Sequence, residues 1–377
     1  MPTLQFGTTV YFDHGALKSL GSALKKAGGA RPLIVTDAGL KAAGLLDQAL
    51  EALGAPPAGV YADTPANPTQ AAVALGVAAY RESGADSLIA LGGGSSMDMA
   101  KAVGLMATHD GPFERYGAAQ RGTRLIGKIP PLIAIPTTSG TGSEVSIGAM
   151  IILENGFKEI FISHNLVPSA AICDPDLTLG LPAGLTAATG MDAVTHCIES
   201  ILCPAVNPPA DAIGLDGVER AIGHGMLARA VADGSDRDAR WNMMMASYEG
   251  ALAFVKGLGS VHALSHAAGR LKEPSLHHGT LNAIFLPHVL RFNAGVADEK
   301  YARIRRAMGL SPSADLADAI QALNDRLGVA PNLSRLGLTS AHADGIVENA
   351  LKDLAHLTNP RPASADDYHR LFEAALG

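Results

Sequence analysis

Basic residues are outnumbered in this chain: 29 Lys and Arg stand against 36 Asp and Glu, a formal net charge of −7. A protein that tracks a phosphate backbone needs the opposite balance, so nucleic acid is excluded as a partner. Long apolar runs are missing as well. None reaches the ~18 residues of a spanning helix, and Met1–Phe12 lacks the basic start and apolar stretch of a signal peptide. The expectation is a cytoplasmic protein with no membrane partner. Cysteine is sparse: Cys173, Cys197 and Cys203 are an odd number without a CxxC pair, which argues against a disulfide framework and for buried thiols. The dinucleotide signature GxGxxG is also absent.

What is present is apolar and ordered. Hydrophobic residues make up 47% and charged ones 17% of 377 residues, enough to bury two cores and too little charge for disorder. The first half alternates short apolar runs, "RPLIVTD" (31–37), "AGVYAD" (58–63), "ADSLIALGGG" (85–94), "PPLIAIPTT" (130–138) and "SAAICDP" (169–175), with amphipathic stretches such as "QAAVALGVAAYRESG" (70–84). That alternation indicates βαβ units and a largely parallel sheet. From about Ala183 the apolar residues recur at helical spacing instead, placing a boundary near Thr178–Pro182. The expected architecture is an N-terminal α/β domain over 1–180 and an all-α domain over 181–377.

In "LIALGGGSSMDMAK" (88–101) a strand runs into three glycines and a helical pattern. Glycines allow close backbone approach, and a helix start directs N–H groups at an anion, so Gly93, Gly94 and Ser95 suit a diphosphate; a plain strand-to-helix turn reads the same way. Asp37 closes the strand "LIVTD", where a carboxylate either accepts from ribose hydroxyls, favouring NAD over NADP, or caps the helix behind it. "IPTTSGTGSE" (135–144) is a loop rich in hydroxyl donors.

Histidine is concentrated in one place: residues 257–290 hold five of the chain's thirteen. Asp192 and His196 stand four apart on a helical pattern, as do His262 and His266, so each pair shares a face. "HHG" adds His277 and His278 ahead of another apolar helix. A single such pair is commonly a structural hydrogen bond. Two pairs and a loop His–His in the same helical half instead suggest one Asp and three His around a divalent metal, with a position left for a substrate oxygen. Imidazole and carboxylate suit Fe(II) or Zn(II) alike.

In order along the chain, "GGGSSMDMAK", "PTTSGTGSE", "GMDAVTHCIE" and "GLGSVHALSH…HHGTLNAIFLPHVL" resemble the iron-containing (group III) alcohol dehydrogenases over nearly the whole length. Within that family "SLHHGTLNAI", "AFVKGLG" and "DPDLTLGLPAGLTAATGMDA" are most similar to the branch that acts on 4-hydroxybutyrate. The resemblance implies a dinucleotide-binding α/β domain, an all-α metal-binding domain, an active site in the cleft between them, and commonly a dimer or larger homo-oligomer. It implies metal ligands at Asp192, His196, His262 and His278, with Fe(II) favoured and Zn(II) the alternative. His266 would lie beside nicotinamide and substrate, where it could relay the hydroxyl proton. For NAD it implies Asp37 at the ribose, Gly93, Gly94, Ser95 and Asp98 in the diphosphate motif, Thr137, Thr138 and Ser143 in the second loop, Lys158 on the cofactor side, and Asn67 either in the cleft or capping a helix.

The chain departs from the family in two places. His278 follows His262 by sixteen residues, two more than is common, which keeps His277 as a rival ligand. "AFVKGLG" brings Lys256 where relatives carry Asn. An ω-hydroxy acid needs a cation at its carboxylate end, and Lys256 is the first candidate, with Arg270 and Lys272 as alternatives and solvent exposure as the ordinary fate of all three. The expected function is interconversion of a short ω-hydroxy acid, 4-hydroxybutyrate, with its semialdehyde by hydride transfer to NAD. Alternatives are another primary alcohol or ω-hydroxy acid, a lyase of the dehydroquinate synthase kind, or a protein that binds without turnover.

Overall fold

A computed structural model describes residues 7–271 and 273–377. The chain divides into two compact units, one of residues 7–138 and 143–178, the other of residues 139–142 and 179–377. The short segment Ser139–Gly142 therefore belongs with the helices, although the expected 1–180 domain would have contained it.

The α/β unit is built on a six-stranded parallel sheet. In chain order its strands are β1 (Thr9–Phe12), β2 (Pro32–Val35), β3 (Gly59–Tyr61), β4 (Ser87–Gly92), β5 (Leu132–Pro136) and β8 (Ala170–Cys173), ordered β1-β8-β5-β4-β2-β3. Each of the five apolar runs supplies one strand. β1, with a half-exposed pattern, and the antiparallel hairpin β6 (Gly148–Ile152) with β7 (Lys158–Ile162) have no counterpart in that reading. β4 and β5 are buried along their whole length, as strands covered by helices on both faces must be. Helix Gln70–Glu82 is capped by Thr69, whose hydroxyl accepts from the Ala72 N–H at 3.2 Å, so Asn67 does not perform the capping role considered for it.

The sheet order creates the nucleotide position. From β2 the chain steps outward to β3 and then returns across β2 to β4, so the connections leave in opposite directions between β2 and β4. At such a switch point the carboxyl ends of neighbouring strands open a crevice for ligands. Asp37 follows β2 there, and Gly93–Ser95 follow β4.

The second unit is helical beyond residue 178, with no strand among the described residues. Its axis is helix Ala183–Leu202, about 30 Å long at the usual rise and buried over most of its length. It packs against helices Pro208–Val218, Arg237–Ala253 and His278–Asn293. The approach to the last is close because Gly279 has no side chain: a Cβ there would lie 2.1 Å from the carbonyl oxygen of Ala188. That contact brings His278 alongside Asp192. No helix among the described residues is long and apolar enough to cross a membrane.

Candidate metal centre and nucleotide face

Asp192 and His196 lie one turn apart in the middle of helix Ala183–Leu202, and His262 projects from helix Ser260–Ala268. All three are buried, and one ligand atom from each lies within 4.8 Å of the others. Oδ1 of Asp192 is 3.7 Å from Nε2 of His196, 3.7 Å from Nε2 of His262 and 3.5 Å from Nε2 of His278. His278, the expected fourth ligand and the second histidine of "HHG", opens helix His278–Asn293 beside Asp192, while the rival His277 occupies the exposed N-cap position.

The far nitrogen of each imidazole is engaged. Glu199 Oε2 accepts from Nδ1–H of His262 at 2.7 Å, the Gly140 carbonyl accepts from Nδ1–H of His196 at 3.2 Å, and Nδ1 of His278 is 3.3 Å from the Ser265 hydroxyl. Holding Nδ1 fixes the tautomer and leaves the Nε2 lone pair for the centre, as metal-binding histidines require. Glu199 also accepts from the backbone N–H groups of Val261 and His262, at 2.8 and 3.3 Å. The motif "GMDAVTHCIE" contains this glutamate, to which no role was assigned from the sequence. Its signal was a second acid one turn beyond His196 on a segment otherwise apolar.

The electrostatics favour positive charge at the centre. Burial opposes ionisation of Asp192, yet the facing imidazoles of His196, His278 and His262 hold its carboxyl well below the usual range. Burial pushes His196 down to about 4. Burial also opposes charge on His262, but its hydrogen bonds to Asp192 and Glu199 overcome this and carry it up to about 9. The amide nitrogen of Asn282 reaches Asp192 Oδ1 at 2.8 Å, His278 Nε2 at 3.1 Å and His262 Nε2 at 3.3 Å, while its Oδ1 stays buried without a partner among the described residues. Acceptors outnumber donors here, and a divalent cation answers that excess of lone pairs. The donor set fits the expected metal.

His266, one turn beyond His262, stacks on His278 with ring centroids 5.1 Å apart. Lys256 is elsewhere engaged. Its side chain is 1% exposed and its ammonium is paired with Asp211 on helix Pro208–Val218. The expectation that Lys256 receives a substrate carboxylate is corrected accordingly: a buried ammonium needs a counter-charge, and Asp211 already provides it. Arg270 donates to Asn349 Oδ1 at 2.5 Å, and Lys272 lies outside the described residues.

On the α/β unit, helix Gly94–Thr108 begins directly after β4, with Gly93 as N-cap and, among the described residues, no side-chain cap bond to its first N–H groups. Those donors at the switch point, beside residues lacking Cβ, fit a diphosphate. Gly92 adopts φ +151°, and a Cβ there would lie 2.4 Å from Ser96 Oγ. Ser95 donates to the Ala66 carbonyl at 2.5 Å, and Lys158 donates to Asn67 Oδ1 at 3.2 Å, which fastens the 66–67 stretch beside the loop. Asp37 caps helix Ala38–Ala42, accepting from the Leu40 N–H at 3.0 Å through Oδ1. Thr138 sits half-buried at Gly93, whereas Thr137 and Ser143 are buried. Asp98 faces the protein: Oδ1 accepts from the Ser143 hydroxyl at 2.8 Å and Oδ2 from the Met150 N–H at 2.9 Å. Expected as a cofactor contact, it holds the second loop in place.

Lys101, in the same motif but not singled out from sequence, completes that support. Fully buried, it donates to the carbonyls of Ser143, Ser146 and Gly148 at 2.8, 3.0 and 2.8 Å. Burial draws its ammonium down to about 8 against the pull of Asp98 and Glu144.

Models of known families match both units. Residues 7–175 match the iron-containing alcohol dehydrogenase model, and residues 186–376 match the Fe-containing alcohol dehydrogenase family, C-terminal. The chain belongs to the iron-containing alcohol dehydrogenases and is an oxidoreductase. It is 52% identical to a 4-hydroxybutyrate dehydrogenase of Cupriavidus necator, over 100% of both chains. A solved 1,3-propanediol oxidoreductase superposes with TM-score 0.92 at 33% identity, covering 99% of this chain and 100% of the other. A sulfoacetaldehyde reductase from Bifidobacterium kashiwanohense, solved in complex with NAD+, has TM-score 0.89 at 25% identity, covering 100% of this chain and 99% of that one.

Proposed function

We propose that the protein interconverts 4-hydroxybutyrate and its semialdehyde by hydride exchange with NAD, using one divalent metal, Fe(II), held by Asp192, His196, His262 and His278. The observation that carries the chemistry is the buried Asp–His cluster with its Nδ1 atoms engaged. The substrate assignment rests on the full-length likeness to the Cupriavidus necator enzyme. That a solved relative is named for sulfoacetaldehyde, another short aldehyde with an anionic end, agrees with it.

When bound, the metal supplies Lewis acidity toward the alcohol oxygen and NAD supplies the hydride acceptor. The chain's own residues do the rest. Glu199 and Gly140 orient two of the ligands. Gly93, Gly94 and Ser95 cradle the diphosphate, supported from behind by Asp98 and Lys101. The outer oxygen of Asp37 accepts from the ribose, since its capping bond uses Oδ1. His266 takes the alcohol proton. With Lys256 paired to Asp211, the carboxylate anchor passes to Arg270, one turn past His266, whose planar guanidinium can meet a carboxylate through two N–H groups. Dimeric assembly and a cytoplasmic site of action follow the family resemblance.

The test is NADH formation by the anaerobically Fe(II)-reconstituted protein with 4-hydroxybutyrate and 1-butanol at equal concentration. A preference for the acid of at least ~100-fold in kcat/KM, about 2.7 kcal/mol, is expected. Equal rates would overturn the substrate assignment and retain the dehydrogenase.

A further inference from the structure

His266 has a partner that no motif announces. Its Nδ1 lies 2.9 Å from Oδ2 of Asp353, and both side chains are 19% exposed. Asp353 follows helix Ala343–Ala350 and caps the short helix Leu354–Thr358, where its Oδ1 accepts from the Ala355 N–H at 2.8 Å. The two carboxylate oxygens thus have separate tasks: one fixes Asp353 to its own loop and the other holds the imidazole.

A carboxylate only accepts, so Nδ1 of His266 carries the hydrogen, and in the neutral ring the lone pair then lies on Nε2. The ring held this way is layered against the ligand cluster, 15° from parallel with His278 and edge-on to His262 at 5.6 Å. An imidazole without such a partner can turn about its side-chain bonds or exchange tautomers, and either change withdraws the acceptor atom.

We propose that Asp353 is the positioning residue of the dehydrogenase reaction, fixing His266 as the Nδ1–H tautomer in the stacked orientation so that Nε2 receives the alcohol proton. This rests on the role given to His266 above. In the step itself the O–H bond breaks and its proton passes to Nε2, the C–H pair leaves as hydride to NAD+, and the carbonyl forms. Asp353 stays ionised and offsets the charge gained by the ring.

A double-mutant cycle separates positioning from simple support of the loop. Asp353→Ala is expected to lower kcat about 10- to 100-fold while leaving the KM for NAD and the bound metal unchanged. Asp353→Asn, whose amide oxygen can still accept from Nδ1–H, should recover part of that loss. In a His266→Ala background, Asp353→Ala should cost less than about twofold, because the group it acts through is gone. Equal losses in both backgrounds would overturn the proposal, as would metal loss in Asp353→Ala. The cycle is run with whichever alcohol turns over faster, so failure of the acid preference leaves it intact, whereas full kcat in His266→Ala would remove it. A readout independent of turnover is the 15N spectrum of histidine-labelled, Zn(II)-loaded protein. The Nδ1–H signature of His266 should be present in the parent and lost in Asp353→Ala, and its persistence would contradict the hold assigned to Asp353.

Discussion

In the helical unit the candidate metal centre is made of side chains, each aimed by a partner on its far nitrogen: Glu199 for His262, Gly140 for His196, Ser265 for His278. In the α/β unit the candidate nucleotide face is made of backbone. There the polar side chains are turned inward, so that Asp98, Ser143 and Lys101 hold a loop, Ser95 holds Ala66, and Asp37 caps a helix. The difference follows from the ligands each must meet. A small divalent ion needs four or so lone pairs at fixed distances, which only rigid side chains supply. A diphosphate needs many N–H donors and close approach, which a glycine turn and a helix start supply without side chains.

If that contrast is right, the two regions should fail differently on mutation. His196→Ala removes a proposed ligand whose ring cannot be replaced, and kcat/KM should fall by at least about 10^4-fold, ~5.5 kcal/mol, with metal content falling in parallel. Lys101→Met should act through folding rather than chemistry. It leaves the carbonyls of Ser143, Ser146 and Gly148 without their donor and the buried Asp98 without the nearby ammonium charge, at a cost of about 3–5 kcal/mol in denaturant unfolding, while the metal content of the folded fraction is retained. Glu199→Ala keeps every ligand but frees the His262 ring, and metal affinity should drop about 10- to 100-fold with the fold unchanged. The smallest effect belongs to Asp37→Gly. Losing one carboxylate from a face made largely of backbone should shift the NAD/NADP preference by about tenfold, ~1.4 kcal/mol, and an unchanged ratio would reduce Asp37 to a helix cap.

The same contrast explains what the sequence discloses. Histidines at i and i+4 are visible as spacing because an α-helix converts spacing into a shared face, and the glycine run after "LIAL" is visible because only a backbone site needs it. The β-strands of the sheet centre are legible as unbroken apolar runs, whereas β1 and the β6–β7 hairpin, half-exposed or edge-like, carry no such pattern. Partners distant along the chain are hidden altogether. Asp353 meets His266 across 87 residues, and Glu199 meets His262 across 63, through packing that no local motif encodes. Lys256 shows the opposite error. Its novelty beside the helix that carries His262 suggests a substrate role, but the counter-charge lies 45 residues earlier, at Asp211.

The most direct measurement of the central claim is an anaerobic titration of the purified apoprotein with Fe(II), and in parallel with Zn(II), counting ions per chain in the parent and in the His262→Ala, His277→Ala and His278→Ala variants. The account predicts one tightly held ion per chain, lost in His262→Ala, weakened in His278→Ala and unaffected in His277→Ala. Parent-like binding in His262→Ala, or loss in His277→Ala with retention in His278→Ala, would contradict it.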